Sequence, residues 1–393
     1  MVMNLVGNQK ILEGLRRQLV WYALAAVGVY GVSFAFIRRG WDSENAFRWL
    51  IAALCVFGYS LWFIWSNLIE NRRTGETSLL RDLGAGNLVS ILRGILIGIL
   101  YGLIFIPKPP GWLAWVPGML YSAVALADIA DGALARLTNH ATRLGEVLDL
   151  YLDGLGVLAA TALLVQYGQV PMWYVLIGLA RYLFLSGMWL RERLGKKNFP
   201  LPPSTRRRWL AAVQMGFVSI LLFPLFSPPA TMVVAYVFGF SLLASFLWDW
   251  LYVGGMISQE KVENYSGISH FAASWIPLGI RLVVLAASLP ILASLRHHDP
   301  YLSTSWVVLV LLVTGTAGRS AAMVGLLLLG LFQLSNPLSP GQLFLGILYA
   351  LILLLGSGAF SLWQPENSII YKKIGEKPLP KQSKDTTHHF PSF

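Results

Sequence analysis

Apolar runs of about twenty residues recur along this chain, each long enough as a helix to cross the hydrocarbon core of a bilayer. They lie near residues 19–37, 49–68, 86–106, 112–130, 147–167, 172–190, 209–227, 230–253, 276–295, 305–317, 320–335 and 342–363. In lipid the backbone N–H and C=O groups must find partners within the protein, so such runs fold as helices. Charged residues are only 12% of the chain and hydrophobic ones 56%, whereas soluble domains carry about a quarter charged residues. The pattern therefore predicts an all-α polytopic membrane protein of about 10–12 spans. The short runs around 305–335 are split by Gly315, Gly318 and Arg319. They read as two short helices with a tight turn or as one broken helix.

Charge orients the bundle. With an even number of spans both termini share one side. That side then collects Lys10, Arg16, Arg17, Arg72, Arg73, Arg81, Arg93, Arg136, Arg143, the loop 191–208, Lys261 and Arg319. The other side holds only Arg38, Arg39, Arg48, Lys108 and Arg296. The positive-inside bias makes the richer side cytoplasmic, with both termini inside, as in a bacterial plasma membrane. The net charge of +11 follows from these loops and from attraction to anionic lipid. Aromatic–basic interleaving of the nucleic-acid-binding kind is missing, so no nucleic acid is expected as a partner. Cys55 is the single cysteine, which excludes an intramolecular disulfide. Arg16 and Arg17 precede an apolar run as in a secretory signal, but no small-residue cleavage site follows, and an uncleaved span is expected. Three blocks and a tail result: a two-span extension (1–79), a six-span core (80–255), a C-terminal transmembrane block (256–374) and a polar, disordered tail (375–393).

The stretch DIADGALARLTNHATRLGEVLDLYLD (residues 128–153) places four aspartates among these runs. An ionised aspartate in mid-membrane costs roughly 2.5–3.5 kcal/mol, so four need compensation. Asp128 and Asp131 are three residues apart, Asp149 and Asp153 four, and each pair shares a helical face. The intervening segment 137–146 is polar enough for a cytoplasmic turn. Two antiparallel helices would then present two carboxylates each to one space, where their repulsion calls for a hard divalent cation. Oxygen ligands favour Mg²⁺ or Mn²⁺ over zinc. Gly132, Ala135 and Gly145 leave room for a bulky ligand near the backbone. Arg136 offers a fork suited to phosphate. Together these residues describe a diphosphate site.

Asp128, Asp131, Gly132, Ala135, Arg136, Gly145, Asp149 and Asp153 meet every spacing of D-x2-D-G-x2-A-R-x8-G-x3-D-x3-D. In this the chain resembles the CDP-alcohol phosphatidyltransferase family. Upstream, Asn87, Ser90 and Arg93 in GNLVSILRG resemble that family's N-x2-T-x2-R element, with serine for threonine. The resemblance covers residues 80–255. It implies a six-helix core in which Asp128, Asp131 and Asp149 hold two metal ions, and Asp153 completes the site and acts as base. It further implies that the metals and Arg136 grip the diphosphate of a CDP-linked donor. Gly132, Ala135 and Gly145 would make room for the cytidine, and Asn87, Ser90 and Arg93 would line the pocket. The acceptor hydroxyl would attack the β-phosphorus and CMP would leave. The form of the upstream element favours CDP-diacylglycerol as donor and a polar alcohol as acceptor, in phospholipid biosynthesis. A CDP-polar-alcohol phosphotransferase acting on a lipid hydroxyl is the alternative. A homodimer is implied by the resemblance alone.

Other readings of the same residues are a cation pathway in a transporter, or purely structural pairing of the aspartates with Arg136 and Arg143. Arg181 and Arg281 are cations within spans, where charge marks function by default. Arg181 reads either as facing the active-site cavity or a lipid phosphate, or as pairing with an aspartate or snorkelling to the interface. Asp249 reads as structural, His140 as a solvated turn residue, and His297, His298, His388 and His389 as loop and tail residues. The loop 191–208 is read mainly as positive-inside charge, part of which can attract an anionic acceptor.

Overall fold

The computed structural model describes residues 2–73, 75–201, 204–257, 266–294, 302–334 and 336–364. The disorder expected for the tail 375–393, and the charges at Lys261 and Arg296 with the paired histidines, fall outside these residues. Among the described residues all regular structure is helical. It comprises α1 (Val2–Gly40), α2 (Ser43–Asn67), α3 (Gly84–Gly102), α4 (Val116–Leu137), α5 (Arg143–Gln166), α6 (Val175–Arg193), α7 (Thr205–Leu221), α8 (Ala230–Val253), α9 (Ser266–Ser294), α10 (Leu302–Thr314), α11 (Gly318–Gln333) and α12 (Pro340–Leu355). Eight helical segments among the described residues are long and apolar enough to cross a membrane. The helices α10 to α12 are apolar but shorter, and α7, at 17 residues with a basic first turn, stands outside both sets.

Three boundaries differ from the sequence reading. The turn expected over 137–146 contracts to residues 138–142, because the Thr142 hydroxyl accepts from the Gly145 N–H at 3.1 Å and starts α5 at Arg143. Such caps satisfy one of the free N–H groups of a helix start. The apolar run 209–227 stops being helical at Leu221, ahead of Pro224. The run 342–363 ends as a helix at Leu355, where Gly356 takes φ 90°. Chain beyond it folds back so that the Ala317 N–H donates to the Trp363 carbonyl.

The two-helix extension is part of the main core. Tyr30 on α1 donates its hydroxyl to the Ile95 carbonyl, and the Trp49 indole on α2 donates to Ile99, both at 3.0 Å. These contacts need a bare α3 surface. A Cβ on Gly102 would lie 2.4 Å from Trp49 Cδ1 and 2.8 Å from the Trp49 carbonyl oxygen. Gly102→Ala is therefore expected to lower stability by about 1–3 kcal/mol through overpacking, read as a lower thermal-unfolding midpoint in detergent.

The C-terminal helices bury a second hydrophobic cluster, including Val284, Leu312, Ala322 and Ile352. Arg281, 3% exposed, ties it together. Its guanidinium donates to the carbonyls of Leu312 (2.9 Å), Ser357 (3.0 Å), Ala359 (2.8 Å) and Val313. A buried cation surrounded by backbone carbonyls is satisfied locally. Arg281 thus closes the block rather than a ligand site. The Trp209 indole, near the start of α7, donates to the Leu354 carbonyl at 3.2 Å. The last described helix therefore ends at the same end of the bundle at which α7 begins.

Candidate active site

Three helices meet at the aspartates. The neighbours α4 and α5 touch little, and α3 packs against both. Its approach depends on small residues: a Cβ on Gly86 would lie 2.9 Å from Ala135 Cβ, and one on Gly145 2.9 Å from Asn87 Oδ1. Ala135 and Gly145 therefore stand at helix crossings, which gives both a packing reason to be small. Gly132 lies under the side chain of Arg136, whose Nη1 would be 3.1 Å from an added Cβ. Arg136 is exposed at the end of α4.

The third helix brings a cation into the cluster. Arg93 is fully buried, and its Nη1 lies 2.6 Å from Asp128, 3.6 Å from Asp131 and 3.3 Å from Asp149. Its Nη2 pairs with Asp153. The carboxylates expected on facing helices do converge, then, and they do so around a guanidinium. One positive charge cannot offset four negative ones. Their exposure rises from 9% for Asp131 to 50% for Asp149, so the cluster is wet on the α5 side and dry beneath.

Asn87 and Ser90 have their polar groups engaged inside the protein. The Asn87 amide nitrogen lies 2.8 Å from the Leu83 carbonyl, 3.1 Å from Thr142 Oγ1 and 3.2 Å from Asn71 Oδ1. Ser90 donates to Asp131 Oδ2 at 2.9 Å. The helix-capping threonine and the innermost aspartate are thus both fixed from α3. His140 is less solvated than its place in a turn suggested: its Nε2 is 3.1 Å from the Asp82 carbonyl, and its ring covers Gly84. Arg143 pairs with Glu70 at 3.3 Å rather than with an aspartate.

Oxygen atoms of Asp128, Asp131 and Asp149 lie within 4.8 Å of one another. An all-carboxylate donor set, partly open to solvent and short of positive charge, fits a hard divalent cation. Beside it, a cavity of 250 Å³ runs from Asp153 past Arg181 to Arg207 and Asp249. Arg207 donates to Asp249 at 3.2 Å. Arg181 thus lines the cavity next to Asp153, one of the placements the sequence left open. Arg207 was missed, being taken for loop charge, and Asp249 was read as structural. The available signal was a lone carboxylate inside the apolar α8, which needs a cationic partner.

The match to known proteins covers the helices that carry this site. A sequence profile described as CDP-alcohol phosphatidyltransferase matches residues 84–246, the stretch from the start of α3 into α8. A CDP-diacylglycerol–glycerol-3-phosphate 3-phosphatidyltransferase of Pseudomonas fluorescens is 30% identical over 42% of this chain and 84% of its own length. Proteins of that same name from Cereibacter sphaeroides and Salmonella choleraesuis are 30% and 32% identical. Those two matches cover 34% and 28% of this chain, and 61% and 62% of the relatives. No solved structure gives a significant match. The chain belongs to the CDP-alcohol phosphatidyltransferase family. Its helices α1, α2 and α9 to α12 lie outside the matched stretch.

Proposed function

We propose that the protein transfers a phosphatidyl group from CDP-diacylglycerol to a hydroxyl of a phosphorylated polar alcohol, releasing CMP. The observation that carries this reading is the cavity beside Asp153 with Arg181 and Arg207 in its wall. Arg207 is paired with Asp249, so it is Arg181, lining the cavity next to Asp153, that suits an anionic acceptor whose hydroxyl reaches the aspartates. The glycerol 3-phosphate in the relatives' names is an alcohol of that kind.

Asp128, Asp131 and Asp149 would hold divalent cations, Mg²⁺ or Mn²⁺ and two by the family resemblance, with Asp153 completing the set. Bound there, such ions supply charge neutralisation for the donor diphosphate. Asp153 takes the proton of the acceptor hydroxyl at a carboxylate oxygen. The freed oxygen bonds to the β-phosphorus as the bond from that phosphorus to the bridging oxygen breaks, and CMP departs with the electron pair. Arg136, at the exposed end of α4, meets the donor's phosphates. Asn87 and Ser90 act as positioning residues, Asn87 by holding the start of α5 and Ser90 by orienting Asp131. Arg93 holds the carboxylates in register. The core 80–255 carries this chemistry, with 1–79 and 256–374 as additions to it.

Purified protein with Mg²⁺ or Mn²⁺ should release CMP from CDP-diacylglycerol when offered glycerol 3-phosphate or an inositol phosphate, but not glycerol or inositol. Release with only the uncharged alcohols would overturn the acceptor assignment. No release from any CDP-linked donor would overturn the reaction. Arg181→Gln should raise KM for the phosphorylated acceptor roughly 10- to 100-fold, the worth of a charge-assisted hydrogen bond, and leave kcat much less affected. Steady-state CMP release at varied acceptor concentration measures both.

A further inference from the structure

A second cavity, of 270 Å³, separates α7 and α8 from the C-terminal helices α11 and α12. It shares no wall residue with the cavity beside Asp153, so the two lie on different faces of α7. Its wall on α7 runs from Trp209 to Leu221, about 18 Å at the rise of an α-helix. That is about half the thickness of a bilayer's hydrocarbon core, the depth of one leaflet.

The wall is apolar almost throughout, with side chains such as Phe217, Leu326 and Leu343. Among its few polar groups, the Trp209 indole is used on Leu354 and Gln342 on the cap with Ser339. The buried Thr231 hydroxyl remains, without a protein partner. A bound water needs two to four polar partners, so a column of water has nothing to hold it. The cavity reaches the surface of the bundle. Ala212 and Gly216, one turn apart on α7, are exposed, and so is Met323 opposite them on α11, at 44%. Its rim is basic: the Arg319 guanidinium stacks 4.6 Å over the Trp209 ring, and Arg208 beside it is exposed.

A lateral slot one leaflet deep, dry inside and cationic at one end, has the shape and charge of a site for a single lipid. We propose that it binds one acyl chain of an anionic phospholipid, with the phosphate at the Arg319 and Trp209 end. Because the slot lies between the family core and the added C-terminal helices, this lipid joins the two and is not a substrate.

Glycines allow the slot to be filled without disturbing its walls. An added Cβ at Gly216 meets nothing within 4 Å, and one at Gly346 meets only Leu329 Cδ1 at 3.7 Å. The protein would be placed in nanodiscs of equal phosphatidylglycerol and phosphatidylcholine with matched chains, then released into native mass spectrometry. The wild type should retain one phospholipid per chain, mainly phosphatidylglycerol. The double variant Gly216→Leu, Gly346→Leu should lose it. Arg319→Gln should keep a lipid and lose the preference for phosphatidylglycerol, an arm that decides the matter even if the filled variant does not fold. Wild type retaining no lipid, a dimer covering the slot, unchanged retention in the filled variant, or an unaltered preference in Arg319→Gln would each overturn the proposal.

Discussion

Asp153→Asn is expected to lower the rate of CMP release by about 10³-fold or more while leaving the protein folded and able to bind the donor. General-base catalysis alone contributes roughly 10²- to 10⁴-fold, and the amide also removes one anionic oxygen from the proposed cation-binding set. The substitution keeps the shape of the side chain at the wet end of the cluster, where Asp153 is 34% exposed. It lessens the repulsion between carboxylates, and Arg93 keeps its contacts with Asp128, Asp131 and Asp149. Stability should thus change little or rise. The check compares single-turnover CMP release with equilibrium binding of CDP-diacylglycerol, each at saturating Mn²⁺. Wild-type turnover in the variant would remove Asp153 from the proton transfer. Loss of donor binding in step with turnover would instead make it a binding residue.

The carboxylates were legible because their information is local. Spacings of three and four residues put each pair on one face of a helix, and a polar turn between two apolar runs makes those helices neighbours. Span existence was legible for the same reason. Helix ends were less so, since hydropathy counts apolar residues whether or not they are helical. Leu221 and Leu355 end their helices inside apolar runs, before Pro224 and at Gly356. The turn shortened because one hydroxyl, that of Thr142, caps α5. What sequence alone did not reveal were contacts between distant elements. Arg93 reaches all four aspartates only because small residues on α3 to α5 let the helices approach. Arg207 and Asp249 are 42 residues apart and on different helices. Nothing local to either residue names its partner, although an acid within an apolar span announces that one is needed.

The central place of Arg93 predicts that the stability of the core responds to cations. Arg93→Met removes the one positive charge in contact with four carboxylates and leaves a side chain of similar length in a dry site. Breaking a buried ion pair from one side costs about 3–5 kcal/mol; the half-exposed Asp149 and the partly wet Asp153 keep the cost toward the lower end, because solvent screens them. In a chelator the variant should unfold at a clearly lower temperature than the wild type. A divalent cation held by the same carboxylates stabilises the folded state by mass action, about 2.7 kcal/mol at a hundred times its Kd. Mn²⁺ should therefore restore much of the lost stability in Arg93→Met and add less to the wild type, where the guanidinium already occupies the centre. Thermal unfolding of both proteins in chelator and across a Mn²⁺ titration measures this difference without any substrate. Equal Mn²⁺ stabilisation of the two proteins would mean that arginine and cation do not share these carboxylates. A smaller gain in the variant would mean that Arg93 is needed to shape the cation site itself.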